Sequence, residues 1–271
     1  MPELPEVETT RCGLEPLVSG QTIARVVVRQ PQLRWPVASE LIAQRGQTIL
    51  ALERRSKWLL WRLHQGTLLW HLGMSGSFRG WTEAPKPAAH DHIDVVIANG
   101  YTLRYTDPRR FGAVLWQSGP DPMLHDRLRT LGPEPLSADF DDDWLWRNSR
   151  GRKGAVKNFI MDGHVVVGVG NIYAAESLFE AGIHPMRAAG RISRARYRRL
   201  TEVIRATLTR AIEVGGTSLR DFTVGDGTPG YFGQELNVYG RAGQTCVRCS
   251  DTLKSATIGQ RSTVWCSQCQ R

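Results

Sequence analysis

Several features are missing from this 271-residue chain. No apolar run approaches the ~20 residues that a membrane helix needs, so no membrane partner is expected. The opening MPELPEVETT lacks a basic region followed by an apolar stretch, so a secretory signal is not expected either. Internal repeats and low-complexity tracts are absent, which excludes collagen-like and wholesale disordered classes. Lysine is scarce: 30 of the 35 basic residues are arginine. Cysteine is scarce too, and four of the five lie within the last 26 residues.

The charge that is present is unevenly placed. The formal net charge is +9. Residues 1–150 hold 18 Lys+Arg against 17 Asp+Glu, and residues 151–271 hold 17 against 9. Nearly the whole excess therefore lies in the second half. Arginine presents a planar fork of donors that matches phosphate oxygens, so this bias suggests a polyanion, most commonly nucleic acid. Charge alone leaves open a basic protein with solvated side chains and no such partner.

Cys246, Cys249, Cys266 and Cys269 form C-x2-C, sixteen residues, C-x2-C, the spacing of a zinc ribbon. Two residues between cysteines let a tight knuckle aim both sulfurs at one ion. The connection is long enough for a hairpin to bring the second knuckle opposite the first. Four thiolates close a tetrahedral site, so one Zn2+ here is structural. The alternatives are two disulfides or unrelated thiols; the missing secretory signal argues against disulfides. Cys12 is expected to be a small packed residue.

Periodicity divides the rest. Residues 5–19 read as a helix, with Pro5 and acidic residues in its first turn. From residue 21 to about 117, short apolar runs such as KWLLWRL, TLLWHLG and HIDVVIA are cut by turn signals, which predicts a β-sandwich or flattened barrel. A Pro/Gly-rich stretch at 119–136 marks a boundary. Helical patterns follow, the longest at 192–216 and ending in Gly215 and Gly216. Residues 217–235 are Gly-rich without a strong period and read as a mobile loop. The expected fold is α+β and multidomain, with domains at 1–132, 133–236 and 237–271.

The first residues are unusual for a chain terminus. Removal of Met1 would expose the secondary amine of Pro2, a nucleophile suited to an aldehyde-like carbon because it forms an iminium directly. Glu3 and Glu6 would lie close by for general acid–base work. Spacing alone favours the plainer reading, a disordered start followed by carboxylates that cap a helix.

MPELPEVETTRCGL resembles the N-terminus of the formamidopyrimidine-DNA glycosylase family. Further motifs recur in that family's order: RRSKWLL, HLGMSGSF, HDHIDVVI, YTDPRRFGAV, VVGVGNIYAAESLF, GTPGYFGQELNVYGR and the zinc-cysteine segment. The resemblance spans essentially the whole chain, and several long motifs in order are far more specific than any one. It implies an N-terminal β-sandwich with flanking helices, a helical helix–two-turn–helix domain and a C-terminal zinc-finger β-hairpin.

It also implies roles. Pro2 would attack C1′ of a damaged nucleotide and form a Schiff base. Glu3 would protonate the opening sugar ring, and Glu6 would support the amine. Lys57 would donate a proton for β-elimination, and Arg261 would serve δ-elimination and grip phosphate. Met74, Arg109 and Phe111 would fill the void left by the flipped nucleotide, with Arg109 favouring an opposite cytosine. Without the motif, Met74 and Phe111 would read as core residues. His90, Arg109, Arg152 and Asn171 would contact DNA, with His71, Lys157 and Tyr239 as additional contacts; Arg152 stands where relatives are expected to carry lysine. His92 keeps an ordinary packing role as its alternative, and the run RISRARYRRL reads as a solvated helix face. The loop at 217–235 would close over an everted base.

The implied partner is damaged double-stranded DNA, the implied activity a bifunctional glycosylase and lyase on oxidised purines. A cytoplasmic, nucleoid-associated bacterial monomer is expected. Two alternatives are the sister enzymes that act on oxidised pyrimidines and a non-catalytic zinc-ribbon DNA-binding protein. MPELPEV and the Met74, Arg109, Phe111 set favour purines, and intact Pro2, Glu3 and Lys57 disfavour the second alternative.

Overall fold

A computed structural model describes residues 2–215, 223–224 and 236–271, the pair 223–224 by backbone alone. The chain forms two compact units. One comprises residues 1–129 with 214–233, the other 130–213 with 234–271.

The first unit opens with α1 (Leu4–Val18), which starts behind Glu3 with Pro5 in its first turn, where a missing N–H costs nothing. Then come β1 (Ile23–Val28), a single turn α2 (Glu40–Ala43), β2 (Ala51–Arg55), β3 (Trp58–Leu63), β4 (Gly66–His71), β5 (Ser77–Trp81), β6 (Asp91–Ile97), β7 (Thr102–Thr106), β8 (Ala113–Ser118) and β9 (Thr223–Val224). They make two sheets, β1-β6-β7-β5-β9 and β2-β3-β4-β8. All pairings are antiparallel except β5 with β9.

The short apolar runs become strands because their side chains find a layer to enter. Trp61 and Trp70 on the four-stranded sheet meet Phe78 and Tyr105 on the other, with ring centroids 5.0–5.9 Å apart. All four rings are essentially inaccessible to solvent. At about 2–3 kcal/mol for each fully buried aromatic, this cluster is a main tie between the sheets. Val7, Leu14 and Leu17 of α1 join the same core. The sandwich expected from the run spacing is thus present.

The second unit holds α3 (Trp144–Ser149), α4 (Val156–Met161), α5 (Asn171–Glu180), α6 (Arg194–Glu213) and the hairpin β10 (Lys254–Ile258) and β11 (Arg261–Trp265). α5 carries two apolar faces. Tyr173, Ala174 and Leu178 join the helical core, whereas Ala175 and Phe179 pack with Val238, Leu253 and Val264 of the zinc segment. The hairpin therefore shares a core with the helices instead of standing apart as a separate unit.

The arginine run on α6 is largely exposed, as its pattern suggests, and several of its members also make polar contacts. Arg194 and Arg198 both pair with Asp143, and Arg196 donates to the carbonyls of Gly182 and Arg271. Two of these three tie α6 to the turn before α3, and the third ties it to the chain's last residue.

Candidate functional site

In the first unit, chemistry gathers at the start of α1. Glu3 is the residue before the helix, and its backbone N–H donates to Glu6 Oε2 at 2.8 Å. The Glu3 side chain accepts in return from the Glu6 backbone, which completes a reciprocal capping box. Both carboxylates are buried, Glu3 at 1% exposure. Burying two acids in one turn is costly unless donors satisfy them, and free N–H groups at a helix start supply such donors. Pro2 directly precedes this cap.

Glu8, one turn on, receives Arg11 Nε and Arg54 Nε, each at 2.8 Å. Burial pushes the Glu8 carboxyl up, but the two guanidiniums outweigh it and hold the group below the usual range. Arg54 Nη1 also donates to the Ser56 carbonyl at 3.0 Å. Ser56 and Lys57 are the two residues between β2 and β3, where Arg55 pairs with Trp58. Ser56 takes the left-handed conformation that such a tight turn demands, at φ 57°. One guanidinium thus fixes the Lys57 turn to the helix that carries Pro2.

Met74 and Phe111 are 40% and 44% exposed, although both flank strands of a dense core. The Arg109 guanidinium lies 5.0 Å from the centre of the Phe111 ring. His90 is exposed, and its carbonyl accepts from the Asp107 N–H at 3.0 Å. His92 is buried with Nε2 2.8 Å from the Asp107 carbonyl, which gives it the packing role.

His71, expected as a DNA contact, has one ring nitrogen occupied: Nδ1 accepts from the Gly73 N–H at 2.9 Å. Its edge meets the Trp58 ring. Burial, then the positive charges of Lys57 and Arg34, push its pKa down to about 4. It is therefore neutral near pH 7 and can offer only Nε2–H. The sign of the stability effect follows. The unfolded chain takes up this proton near the ordinary value of 6.5, the folded chain only near 4. Protonation between these values favours unfolding, so stability falls as pH drops from 6.5 to 4, by about 3 kcal/mol at most. Denaturant titrations across that window are expected to show a shallower pH slope for His71→Gln than for wild type; identical slopes would refute the assignment.

In the second unit, Asn171 is the first residue of α5, after Gly170. Its Nδ2 donates to the Ser262 carbonyl at 3.1 Å, beside Arg261. Arg261 begins β11 and is exposed. Lys157 departs from its expected place. It is fully buried, and its ammonium donates to Thr263 Oγ1 at 2.7 Å and the Ser262 carbonyl at 3.2 Å. A charge so enclosed holds the hairpin to α4 and is turned away from solvent phosphates. Arg152 is exposed, with its guanidinium 5.6 Å from the Phe159 ring centre.

Glu176 was not singled out by the sequence. Buried on α5, it accepts from the backbone N–H groups of Asn237, Val238 and Tyr239, each at 2.9 Å, and from Asn237 Nδ2 at 3.1 Å. It thereby sets the backbone that carries Tyr239. The only local signal was an acid inside the apolar pattern NIYAAESLF.

The ligand atoms of the four C-terminal cysteines lie within 4.8 Å of one another, with Sγ–Sγ distances of 3.9 Å for Cys246–Cys269 and 3.4 Å for Cys249–Cys266. Zn–S bonds of about 2.3 Å in a tetrahedron place sulfurs about 3.8 Å apart, whereas a disulfide needs about 2.05 Å. The donor set fits one structural zinc and no disulfide. Residues 217–235, expected to close over an everted base, lie outside the described residues apart from the backbone of 223–224.

Comparison with known proteins agrees with this arrangement. Residues 1–114 match the formamidopyrimidine-DNA glycosylase N-terminal domain, 131–223 the H2TH domain of the same glycosylases, and 243–271 the zinc finger found in FPG and IleRS. The formamidopyrimidine-DNA glycosylases of Stutzerimonas stutzeri and Alcanivorax borkumensis are 59% and 58% identical over the full length of both chains. The crystal structure of MutM (Fpg) from Thermus thermophilus superposes with a TM-score of 0.87 at 39% identity, covering 99% of this chain and 98% of that one. Lactococcus lactis Fpg bound to DNA containing N7-benzyl-Fapy-dG superposes with a TM-score of 0.90 at 32% identity over the whole of both chains. The chain belongs to the formamidopyrimidine-DNA glycosylase family and is a base-excision-repair DNA glycosylase with one structural zinc.

Proposed function

We propose that the enzyme excises oxidised purines, 8-oxoguanine and formamidopyrimidines, from duplex DNA and then nicks the strand by β,δ-elimination. The observation that carries this reading is the buried Glu3–Glu6 capping box next to Pro2, strapped through Glu8 and Arg54 to the turn bearing Lys57. It gathers a nucleophile, two carboxylates and an amine on one rigid frame, as covalent catalysis requires.

In the chain freed of Met1, the Pro2 nitrogen pair attacks C1′. The glycosidic bond breaks and its electrons leave with the base, which takes up the proton that the Pro2 nitrogen releases. Glu3 protonates O4′ as the sugar ring opens, which yields an iminium at C1′. Glu6, bonded to the Glu3 N–H, holds the terminal residue in place. The iminium acidifies C2′–H. Transfer of that proton to water expels the 3′ phosphate, whose departing oxygen Lys57 protonates, and Arg261 serves the second elimination, in which loss of the C4′ proton to water expels the 5′ phosphate. Water then hydrolyses the iminium and returns the free secondary amine.

The substrate atom is unreachable inside a stacked duplex, so the nucleotide must be flipped out. Met74 and Phe111 then enter the gap as apolar wedges, and Arg109 donates to the orphaned base, which favours cytosine. His90, Arg152, Asn171 and Tyr239 hold phosphates, with His71 as a neutral donor. DNA bound by the Lactococcus lactis relative supports the partner class.

Borohydride reduction tests the reading. The processed protein is expected to become covalently trapped on duplexes containing 8-oxoguanine opposite cytosine, and to release 8-oxoguanine faster than thymine glycol. Absence of trapping would overturn the Schiff-base route, and faster thymine glycol release would overturn the purine preference.

A further inference from the structure

We propose that Asp107 is the positioning residue of the DNA wedge: its buried carboxylate locks the Met74 turn and the Arg109–Phe111 turn together before DNA arrives. The proposal rests on the reading of Met74, Arg109 and Phe111 as the void-filling set.

Asp107 lies just beyond β7 and is fully buried. Its Oδ1 accepts from Ser75 Oγ at 2.6 Å. Its Oδ2 accepts from the Gly112 N–H at 2.8 Å and the Tyr105 hydroxyl at 3.3 Å. Ser75 follows Met74, and Gly112 follows Phe111, so one carboxylate grasps the residue after each apolar wedge. The Ser75 hydroxyl is also an acceptor, taking the Arg109 N–H at 3.1 Å. Asp107 further closes its own turn, its carbonyl accepting from the Arg110 N–H at 3.1 Å. Arg110 sits at φ 53°, a conformation non-glycine residues seldom hold unless surrounding bonds enforce it.

The two turns also touch backbone to backbone. A Cβ on Gly73 would fall 2.3 Å from the Phe111 carbonyl carbon and 2.5 Å from the Gly112 nitrogen. A Cβ on Gly112 would fall 1.8 Å from the Tyr105 hydroxyl and 3.0 Å from Asp107 Oδ2. This contact leaves no room for a side chain at either glycine, so the two turns pack directly on each other's backbone. The partners of the carboxylate are all neutral donors, so its acceptor capacity, not an ion pair, makes the lock. Burial and the adjacent Asp107 raise the Tyr105 pKa well above its ordinary value, which keeps that hydroxyl a donor.

Preorganisation is the functional consequence. A wedge held rigid loses little entropy on entering the stack, whereas a mobile one must be ordered at that moment. An orphaned base exists only in a duplex. The lock is therefore needed for base excision from duplex DNA and dispensable for Schiff-base formation on a single-stranded abasic site.

Asp107→Asn keeps the size but turns one acceptor into a donor that faces donors. It is expected to slow single-turnover excision of 8-oxoguanine from duplex DNA by about 30-fold or more. Borohydride trapping on a single-stranded abasic oligonucleotide is expected to stay within about threefold of wild type, because no wedge is used there. With 2-aminopurine placed beside the orphan base, the fluorescence rise on unstacking is expected to be smaller and slower. Ser75→Ala, which removes the relay to Arg109 and the Oδ1 donor but leaves the Gly112 and Tyr105 bonds to the carboxylate in place, is expected to slow duplex excision about fivefold. Equal slowing of both reactions, or of neither, in folded Asp107→Asn would overturn the proposal. Should that variant fail to fold, unchanged duplex excision by Ser75→Ala would overturn it. Wild type that neither traps nor excises would refute the underlying catalytic reading instead.

Discussion

Pro2→Gly is expected to lower borohydride trapping about 100-fold or more, equivalent to about 3 kcal/mol of lost barrier reduction. The reason is chemical before it is structural. A secondary amine condensing with C1′ gives an iminium that carries its positive charge permanently. A primary amine gives an imine that must be protonated to act as an electron sink. Glycine also lacks the pyrrolidine ring that fixes the amine about the Cα–N bond, so its lone pair samples many directions around the bound sugar. The fold has little reason to respond. Pro2 lies outside α1, and the capping box that starts the helix belongs to Glu3 and Glu6. A thermal midpoint within about 2 °C of wild type is expected. Intact mass spectrometry must first show that Met1 is gone from both proteins, since a retained Met1 would make the Pro2 nitrogen an amide. Trapping at the wild-type rate by a processed Pro2→Gly protein would refute proline as the nucleophile.

Local pattern carried a good part of this site to the reader of the sequence. Pro5 and the acids after it announced a helix over 5–19, and α1 runs Leu4–Val18. Runs such as KWLLWRL and TLLWHLG announced strands, and β3 and β4 lie there. The cysteine spacing announced the cluster. Each of these signals is contained within a few tens of residues. What stayed hidden depends on partners far along the chain. Lys157 reads as an exposed cation in KGAVKNF, yet it is enclosed because β11, 105 residues on, brings a carbonyl and a hydroxyl to it. Glu176 reads as one polar break in an apolar helix, and its four donors come from a segment 61–63 residues later. Asp107 reads as a turn residue before proline, and Ser75 lies 32 residues upstream. The α6 arginines show their spacing on a helix, but not that Asp143 gathers two of them. Periodicity reports which face is apolar; it is silent about which distant acceptor completes a buried charge.

Zinc removal is expected to cost at least about 100-fold in affinity for a duplex bearing an abasic-site analogue, and to do so through structure, not chemistry. A four-thiolate site of this kind stores about 10–16 kcal/mol of binding free energy, which becomes folding free energy for the segment around it. Here that segment is small. Its apolar support is Val238, Leu253 and Val264 packed on Ala175 and Phe179 of α5. Without the ion, nothing draws the four sulfurs, now within 4.8 Å of one another, to a common centre, and the knuckles would part. The loss would spread inward. Lys157 would lose its bonds to the Thr263 hydroxyl and the Ser262 carbonyl, which tie α4 to the hairpin. Asn171 would lose its bond to the same carbonyl, and with it the fixed start of α5. Arg261 would leave its place on β11. Fluorescence anisotropy on zinc-loaded and chelator-stripped protein measures the loss, and restoration of one equivalent of Zn2+ is expected to recover binding. Cys249→Ser, which removes one exposed ligand, is expected to weaken both metal retention and DNA binding in parallel. Stripped protein that binds the duplex as tightly as loaded protein would show that the hairpin contributes nothing to the DNA grip.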